Sequence, residues 1–360
     1  MIIFSLAANL GAAQQVFRVH TALYARKHRI ASALNMVLSP HAVAGALNAL
    51  VADGAKPDLF YIGLSSTANE SAGERYIVDY ARENGTPCVV QAHDHQSWAR
   101  PEVAHGDIIS HVRVILASEA EAEDCTIPGT DIVLPGARSF GYREAVFLGG
   151  LPIEEEFPVI GFAEPIIVPG KQLFLIIWNK NDKISCNMLE AVLNAIEQHR
   201  LPVALLIKLH PNPLKETVDP KRRETLLARA AQYCVGDVEG TSTSLLPRVY
   251  AAIGTGVGTD GPHAAKLRCR YIWYQDPDVD AYNISQIGTA HWYPALAGAV
   301  LTATPETMAT VIQSSVDERL MELHHKRQAQ VYTAPDHGAE PPVLRIARYL
   351  EEVAAATASA

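Results

Sequence analysis

The chain has 360 residues, more than one ordinary domain needs, so two domains are expected. Apolar residues make up 48% and charged residues 19%, a globular composition rich enough to bury a large core. The formal net charge of -9, spread without long runs of one sign, argues against a general nucleic-acid binder. It leaves room for a local basic patch around an anionic ligand. The five cysteines (Cys88, Cys125, Cys186, Cys234 and Cys269) form no CxxC pair, so spacing offers no structural zinc site. Their odd, dispersed set fits reduced thiols and a cytoplasmic protein. The opening MIIFSLAANLG has no basic leader and reads as a first strand rather than a signal peptide. No stretch approaches the uncharged length of a membrane span, although peripheral contact with a membrane stays open.

Along the chain, short apolar runs alternate with longer helical patterns, the signature of βαβ units on parallel sheets. In the first half, strands are expected at 2–7, 59–64, 87–91, 112–117 and 131–134. Most are continuous apolar runs, as strands buried on both faces require. Helices are expected at 13–26, 41–53 and 73–84, the last stopping at Asn84-Gly85. Residues 27–40 receive no assignment; only 30–38 has an apolar bias. Residues 149–170, with three consecutive glutamates and four prolines, read as a linker or crossing loop. A second series follows, with strands at 172–178, 203–209, 233–235, 251–253 and 270–274. Its helices fall at 188–199, 222–232, 245–250, from 263, at 305–328 and at 342–355.

The sharpest local signal is Leu205-Leu206-Ile207-Lys208-Leu209-His210-Pro211, a buried strand ending in a cation, an imidazole and a proline. Ligands of open α/β sheets collect at the carboxyl ends of strands. There Lys208 and His210 can meet a phosphate, while Pro211 stops the strand. The plainer alternative is a solvated lysine and a strand-capping histidine. A second signal is Gly254-Thr255-Gly256-Val257-Gly258, which leads into a helix expected to open at His263. Glycines admit close approach of a ligand, and a helix start offers N–H groups to an anion. The spacing is not that of a dinucleotide fingerprint, and a flexible loop is nearly as good a reading. Upstream, Ser242 and Thr243 are either helix caps or phosphate contacts.

In the first half, strand 87–91 runs into His93-Asp94-His95. Asp94 can serve as general base, with His93 and His95 as alternatives or substrate contacts. Adjacent residues on an extended chain point apart, and no third ligand completes a metal site there. The turn Asn9-Leu10-Gly11-Ala12 after the first strand is either a substrate contact through Asn9 and Gly11 or simply a tight strand–helix turn.

In this order the pieces resemble the GT-B glycosyltransferase superfamily and the related non-hydrolysing UDP-N-acetylglucosamine 2-epimerases. The resemblance is carried by Asp58–Gly63 through Pro87–Ala92, by Leu134-Pro135-Gly136-Ala137, by Lys208-Leu209-His210-Pro211, and by Asp336-His337-Gly338 with Arg345-Ile346. It implies an α/β fold of two Rossmann-like domains facing each other across a cleft, with a C-terminal helix returning to the first domain. The boundaries it implies are 1–160 for an acceptor domain, 161–335 for a nucleotide-sugar domain and 336–360 for the returning helix. Two departures bear on the chemistry. The epimerases carry Gly-Asp where this chain has Gly63-Leu64-Ser65, and Val-Glu-Ala-Gly where it has Val90-Gln91-Ala92-His93. Both catalytic carboxylates of that reaction are therefore missing. Where many transferases carry Glu-Ala at the ribose, the chain has His263-Ala264.

The resemblance thus implies an inverting, metal-independent glycosyltransferase of the polysaccharide-biosynthesis kind, with no cofactor beyond its nucleotide-sugar substrate. The acceptor would be a glycan, a lipid-linked glycan or a protein. Asp94 would be the base, and His210 would act on the leaving group. Lys208, Ser242, Thr243, Gly254, Thr255, Gly256 and His263 would hold the donor. An epimerase or hydrolase of the UDP-N-acetylglucosamine 2-epimerase type, and a non-catalytic nucleotide-sugar-binding protein, are the alternatives.

Overall fold

The structure is a computed structural model, and it describes residues 1–63, 65, 68–92, 112–116, 146–148, 163–211, 213–236, 238–258, 260–287, 290, 292–332 and 340–358. The chain divides into two compact units. One comprises Met1–Glu155, Gln286–Thr289 and Thr333–Ala360, the other Glu156–Ser285 and Ala290–Tyr332.

The first unit is built on six parallel strands: β1 (Ile2–Ala7), β2 (Arg29–Leu34), β3 (Leu59–Gly63), β4 (Cys88–Gln91), β5 (Val112–Leu116) and β6 (Val146–Leu148). Their order is β2-β1-β3-β4-β5-β6. The strand order therefore reverses between β1 and β3. β3 and β4 are buried along their whole length, which explains their unbroken apolar sequences. Helix Leu10–Ala25 turns Val16, Val19 and Leu23 inward, where they join Ile346, Leu350 and Val353 of the final helix Pro342–Ala358. The last helix of the chain thus belongs to the core of its first unit. It is tied there also by Glu351, which accepts hydrogen bonds from Arg26 and His28 at 2.6 Å each.

The second unit carries five parallel strands: β7 (Gln172–Ile177), β8 (Val203–Lys208), β9 (Ala251–Thr255), β10 (Arg270–Tyr274) and β11 (Leu301–Ala303). Their order is β11-β10-β9-β7-β8, so the reversal falls between β7 and β9. Helix Asp182–His199 lays Ile184, Met188, Leu189, Val192 and Ile196 against this sheet. Arg200 ends it in the left-handed conformation, at φ 51°.

The structure corrects several expectations. Unassigned residues 27–40 contain β2, an edge strand whose side chains are only partly covered, so its sequence RIASAL never becomes a pure apolar run. The expected strand 233–235 is a single bridge between Leu205 and Cys234. The expected helix 305–328 is two helices, Met308–Ser314 and Glu318–Tyr332, separated where Asp317 accepts from the backbone N–H of Arg319 and Leu320 and starts the second. The helix expected from His263 begins at Asp260. The expected strand 131–134 and the crossing loop up to residue 162 lie outside the described residues.

Candidate functional site

At the reversal point of the second sheet, two strand tips are joined by one side chain. β7 continues through Trp178 to Asn179, whose Nδ2 donates to the carbonyl of Thr255 at the end of β9, at 2.8 Å. Asn179 is itself held at its other polar groups. Its Oδ1 accepts from the N–H of Asn181 at 2.9 Å, and its own N–H donates to Ser185 Oγ at 2.8 Å. Asn181 then caps helix Asp182–His199 by accepting from Lys183 and Ile184. Below it, the buried Asp182 accepts from Trp178 Nε1 at 2.8 Å and lies 3.6 Å from Arg223.

Two glycines at the β9 tip are there for room. A Cβ on Gly254 would stand 2.1 Å from the Tyr271 hydroxyl oxygen. Gly256 has φ +73°, and a Cβ on it would lie 2.9 Å from Asn179 Nδ2. Only glycine meets both demands cheaply. The carbonyl of Gly256 accepts from Trp273 Nε1 at 3.3 Å, and Thr255 Oγ1 donates to the Tyr274 carbonyl at 3.2 Å. The Gly254–Gly256 turn is therefore a fixed shape, built by residues of β10 and the β7 tip.

Beyond this turn, Asp260 begins the helix Asp260–Lys266. Burial pushes its carboxyl up to about 6, against a hydrogen bond with Ser242 that favours the charged form. The buried His263 shares a hydrogen bond of 2.8 Å between its Nδ1 and Thr243 Oγ1. Ser242 and Thr243 lie inside the short helix Ser242–Leu245, and its cap is Thr241, which accepts from the Ser244 N–H. The helix expected to open at His263 therefore opens at Asp260, whose carboxyl can accept a hydrogen bond from a hydroxyl. On the far side of β7, Lys208 is the last residue of β8 and its carbonyl accepts from the Trp178 N–H at 3.0 Å. His210 follows two residues on and is half-buried. β7 lies between the tips that carry His210 and Thr255.

The reversal point of the first sheet has its own organising group. Glu74 is buried at 2% exposure and accepts from the N–H of Ala8 at 3.0 Å, the N–H of Ser65 at 2.9 Å and the Ser65 hydroxyl at 2.5 Å. Ser65 Oγ in turn accepts from the Asn9 N–H at 3.0 Å. Asn9 caps helix Leu10–Ala25 by accepting from Gly11 at 2.9 Å, so both residues of the expected substrate turn have a structural task. At the end of β4, Gln91 is fully buried; its Oε1 accepts from the Tyr61 hydroxyl at 3.2 Å and its Nε2 donates to the Ala92 carbonyl. His93, Asp94 and His95 lie outside the described residues.

Sequence reasoning missed Asn179, Asp260 and Glu74. The run Trp178-Asn179-Lys180-Asn181-Asp182 after an apolar strand was the available signal for the first. Glu74 sits in an ordinary-looking amphipathic helix and gave none. Among the described residues, no group of three His, Cys, Asp or Glu side chains is placed to hold a metal ion. None of the described helices is long and apolar enough to cross a membrane.

No family model matches the sequence, and no curated protein matches it either. Solved structures do match over nearly the whole chain. The S. aureus MnaA–UDP co-structure is 12% identical, with 98% of this chain and 96% of that chain covered and a TM-score of 0.64. A putative UDP-N-acetylglucosamine 2-epimerase from Listeria monocytogenes is 12% identical, with coverage of 96% and 94% and the same TM-score of 0.64. MurG of Acinetobacter baumannii is 10% identical, with coverage of 98% and 99% and a TM-score of 0.59. The glycosyltransferase SnogD from Streptomyces nogalater is 14% identical over 98% and 99%, at a TM-score of 0.54. At such identities the likeness is one of architecture. With two parallel sheets of Rossmann-like order and a final helix packed on the first unit, the chain has the GT-B fold.

Proposed function

We propose that this chain is a glycosyltransferase that takes its sugar from a nucleotide-sugar donor held by the second unit. One observation carries the reading: the reversal point between β7 and β9 is lined by polar groups that hold one another in place, with Asn179 bonded to the Thr255 carbonyl. Reversal points are where open α/β sheets bind their ligands. Backbone N–H groups of 254–258, together with Lys208 and His210, would face the diphosphate. Asp260 and the His263–Thr243 pair offer hydrogen-bonding partners to sugar hydroxyls. The likeness of fold to the S. aureus MnaA–UDP co-structure supports the same class of ligand.

In this reading the acceptor oxygen attacks the anomeric carbon and the carbon–oxygen bond to phosphate breaks. The nucleoside diphosphate leaves with the electron pair, and Asp94 takes the acceptor proton. Preorganised N–H donors and His210 would stabilise the charge on the departing group without a metal ion. Transfer is preferred to epimerisation because Gln91 stands where the resemblance calls for glutamate. Its amide is sealed in the core against Tyr61 and does not titrate.

Two measurements test the reading. A thermal-shift screen of UDP-, GDP-, dTDP-, CMP- and CDP-linked ligands should raise the melting temperature with at least one nucleotide class. Asp94→Asn should then abolish transfer while donor binding persists, and His210→Ala should weaken donor binding or turnover. No shift with any nucleotide sinks the donor site, and undiminished turnover in both variants sinks the mechanism. Conversion of a UDP-sugar incubated alone, followed by NMR, would instead assign epimerisation or hydrolysis.

A further inference from the structure

Residues 1–52 contain Arg18, Arg26, Lys27 and Arg29 but no aspartate or glutamate, in a chain whose formal net charge is -9. The same stretch exposes an unusual amount of apolar side chain. On helix Leu10–Ala25, Leu10 is 50% exposed, Phe17 54% and Tyr24 53%. Residues seven apart drift by only about 20° around a helix, so the three form one stripe along its outer side. The opposite side already supplies the core through Val16, Val19 and Leu23. The fold therefore gains nothing from the stripe. At its Leu10 end it is extended by Met36 and Val37, 54% and 58% exposed. They follow Asn35, whose N–H donates to the Ala7 carbonyl at 2.7 Å and so keeps the β2 tip beside the β1 tip.

The charges around the stripe are sorted by sign. Arg26 and His28 are engaged by Glu351, and Arg348 pairs with Glu340 and Glu352 at 2.9 Å, so these acids in and just before the neighbouring final helix are already matched with cations. Lys27 and Arg29 are exposed just past the Tyr24 end. The result is a ridge of leucine, methionine, valine and two rings, bordered by cations and carrying no acid of its own.

We propose that this ridge seats the first unit on an anionic lipid surface. Apolar and aromatic side chains on one side of a helix, flanked by cations, lie at the boundary between headgroups and acyl chains. Juxtaposed lysine and arginine add attraction to the negative leaflet. A second copy of the chain is the poorer occupant, because a two-fold interface places the same patch on both sides. Cations would then meet cations, with no carboxylate from residues 1–52 between them.

The test is cosedimentation of the full chain with phosphatidylcholine vesicles, with and without phosphatidylglycerol, at low and high salt. Pelleting is expected only with the anionic vesicles, and it should weaken as salt rises. F17S/Y24S should abolish it. K27E/R29E should lower the partition by at least tenfold, since each cation near an anionic surface contributes roughly fivefold. L320S/L323S, which removes two exposed leucines from the second unit, should change nothing. Circular dichroism and a thermal melt establish that each variant is folded, and should F17S/Y24S not fold, K27E/R29E alone decides. Equal pelleting with neutral vesicles, no pelleting with either, or full binding by K27E/R29E overturns the proposal. So does a dimer, by light scattering, that F17S/Y24S dissociates while vesicles go unbound.

Discussion

Asp260→Asn should stabilise the protein, and only at neutral and alkaline pH. The folded carboxyl is pushed from 3.8 up to about 6 by burial, with the Ser242 hydrogen bond opposing. A displacement of that size corresponds to about 3 kcal/mol of penalty on the charged form. The sign follows from the raised value. Below the unfolded pKa the group is protonated in both states and costs nothing. The penalty grows as pH rises from the unfolded value towards the folded one, and is complete above it. Asparagine keeps the shape and still accepts from Ser242, but carries no charge. Urea denaturation of parent and variant should therefore give curves that coincide near about pH 3 and differ by about 2–3 kcal/mol near about pH 8. Subtraction removes the other titrating groups. Among these are His20 and His324, whose burial lowers their pKa values to about 4 and acts in the opposite direction. A difference that does not change with pH, or a variant less stable throughout, refutes the assignment of Asp260 as a desolvated carboxyl.

Further outcomes are expected from the same structure. Glu74→Gln places an NH2 among three donors, so it should cost about 2–3 kcal/mol by urea denaturation. Gly256→Ala meets both a φ of +73° and Asn179 at 2.9 Å. It should lose about 1–2 kcal/mol and weaken any nucleotide that binds the second unit. Gly258→Ala, with nothing within 4 Å of its Cβ, is the stability control and should unfold near the parent's midpoint. His20 bonds Ser5 through Nε2 and is pushed down to about 4 by burial. Its contribution is therefore complete above the unfolded value near 6.5 and is lost as pH falls towards the folded one. His20→Gln should flatten that acid limb in a melt followed by circular dichroism.

The sequence exposed the fold where one rule governed a whole element. β3, β4, β8 and β9 are buried almost throughout, so their apolar runs were plain. β2 escaped because an edge strand with half-covered side chains obeys no strict pattern, and β11 because three residues cannot display one. Helix Asp182–His199 was expected to start six residues late, since its first turn is polar and its start is fixed by the cap of Asn181. The site divided in the same way. His210 and the 254–258 turn were visible as local departures from apolar strands. Asn179 reaches Thr255 across 76 positions, and Glu74 reaches Ala8 across 66, so neither partnership left a local trace.

If the donor reaches both His210 and Gly256, as proposed, the place of β7 between β8 and β9 sets a minimum length for it. Neighbouring strands stand 4.7–4.9 Å apart, so the tips bearing His210 and Gly256 are separated by about two such steps, roughly 9–10 Å. A single phosphate touches one tip or the other. A chain of two phosphates with a group at each end can reach both, so nucleoside monophosphates should grip only half of this edge and forfeit the remainder of its affinity.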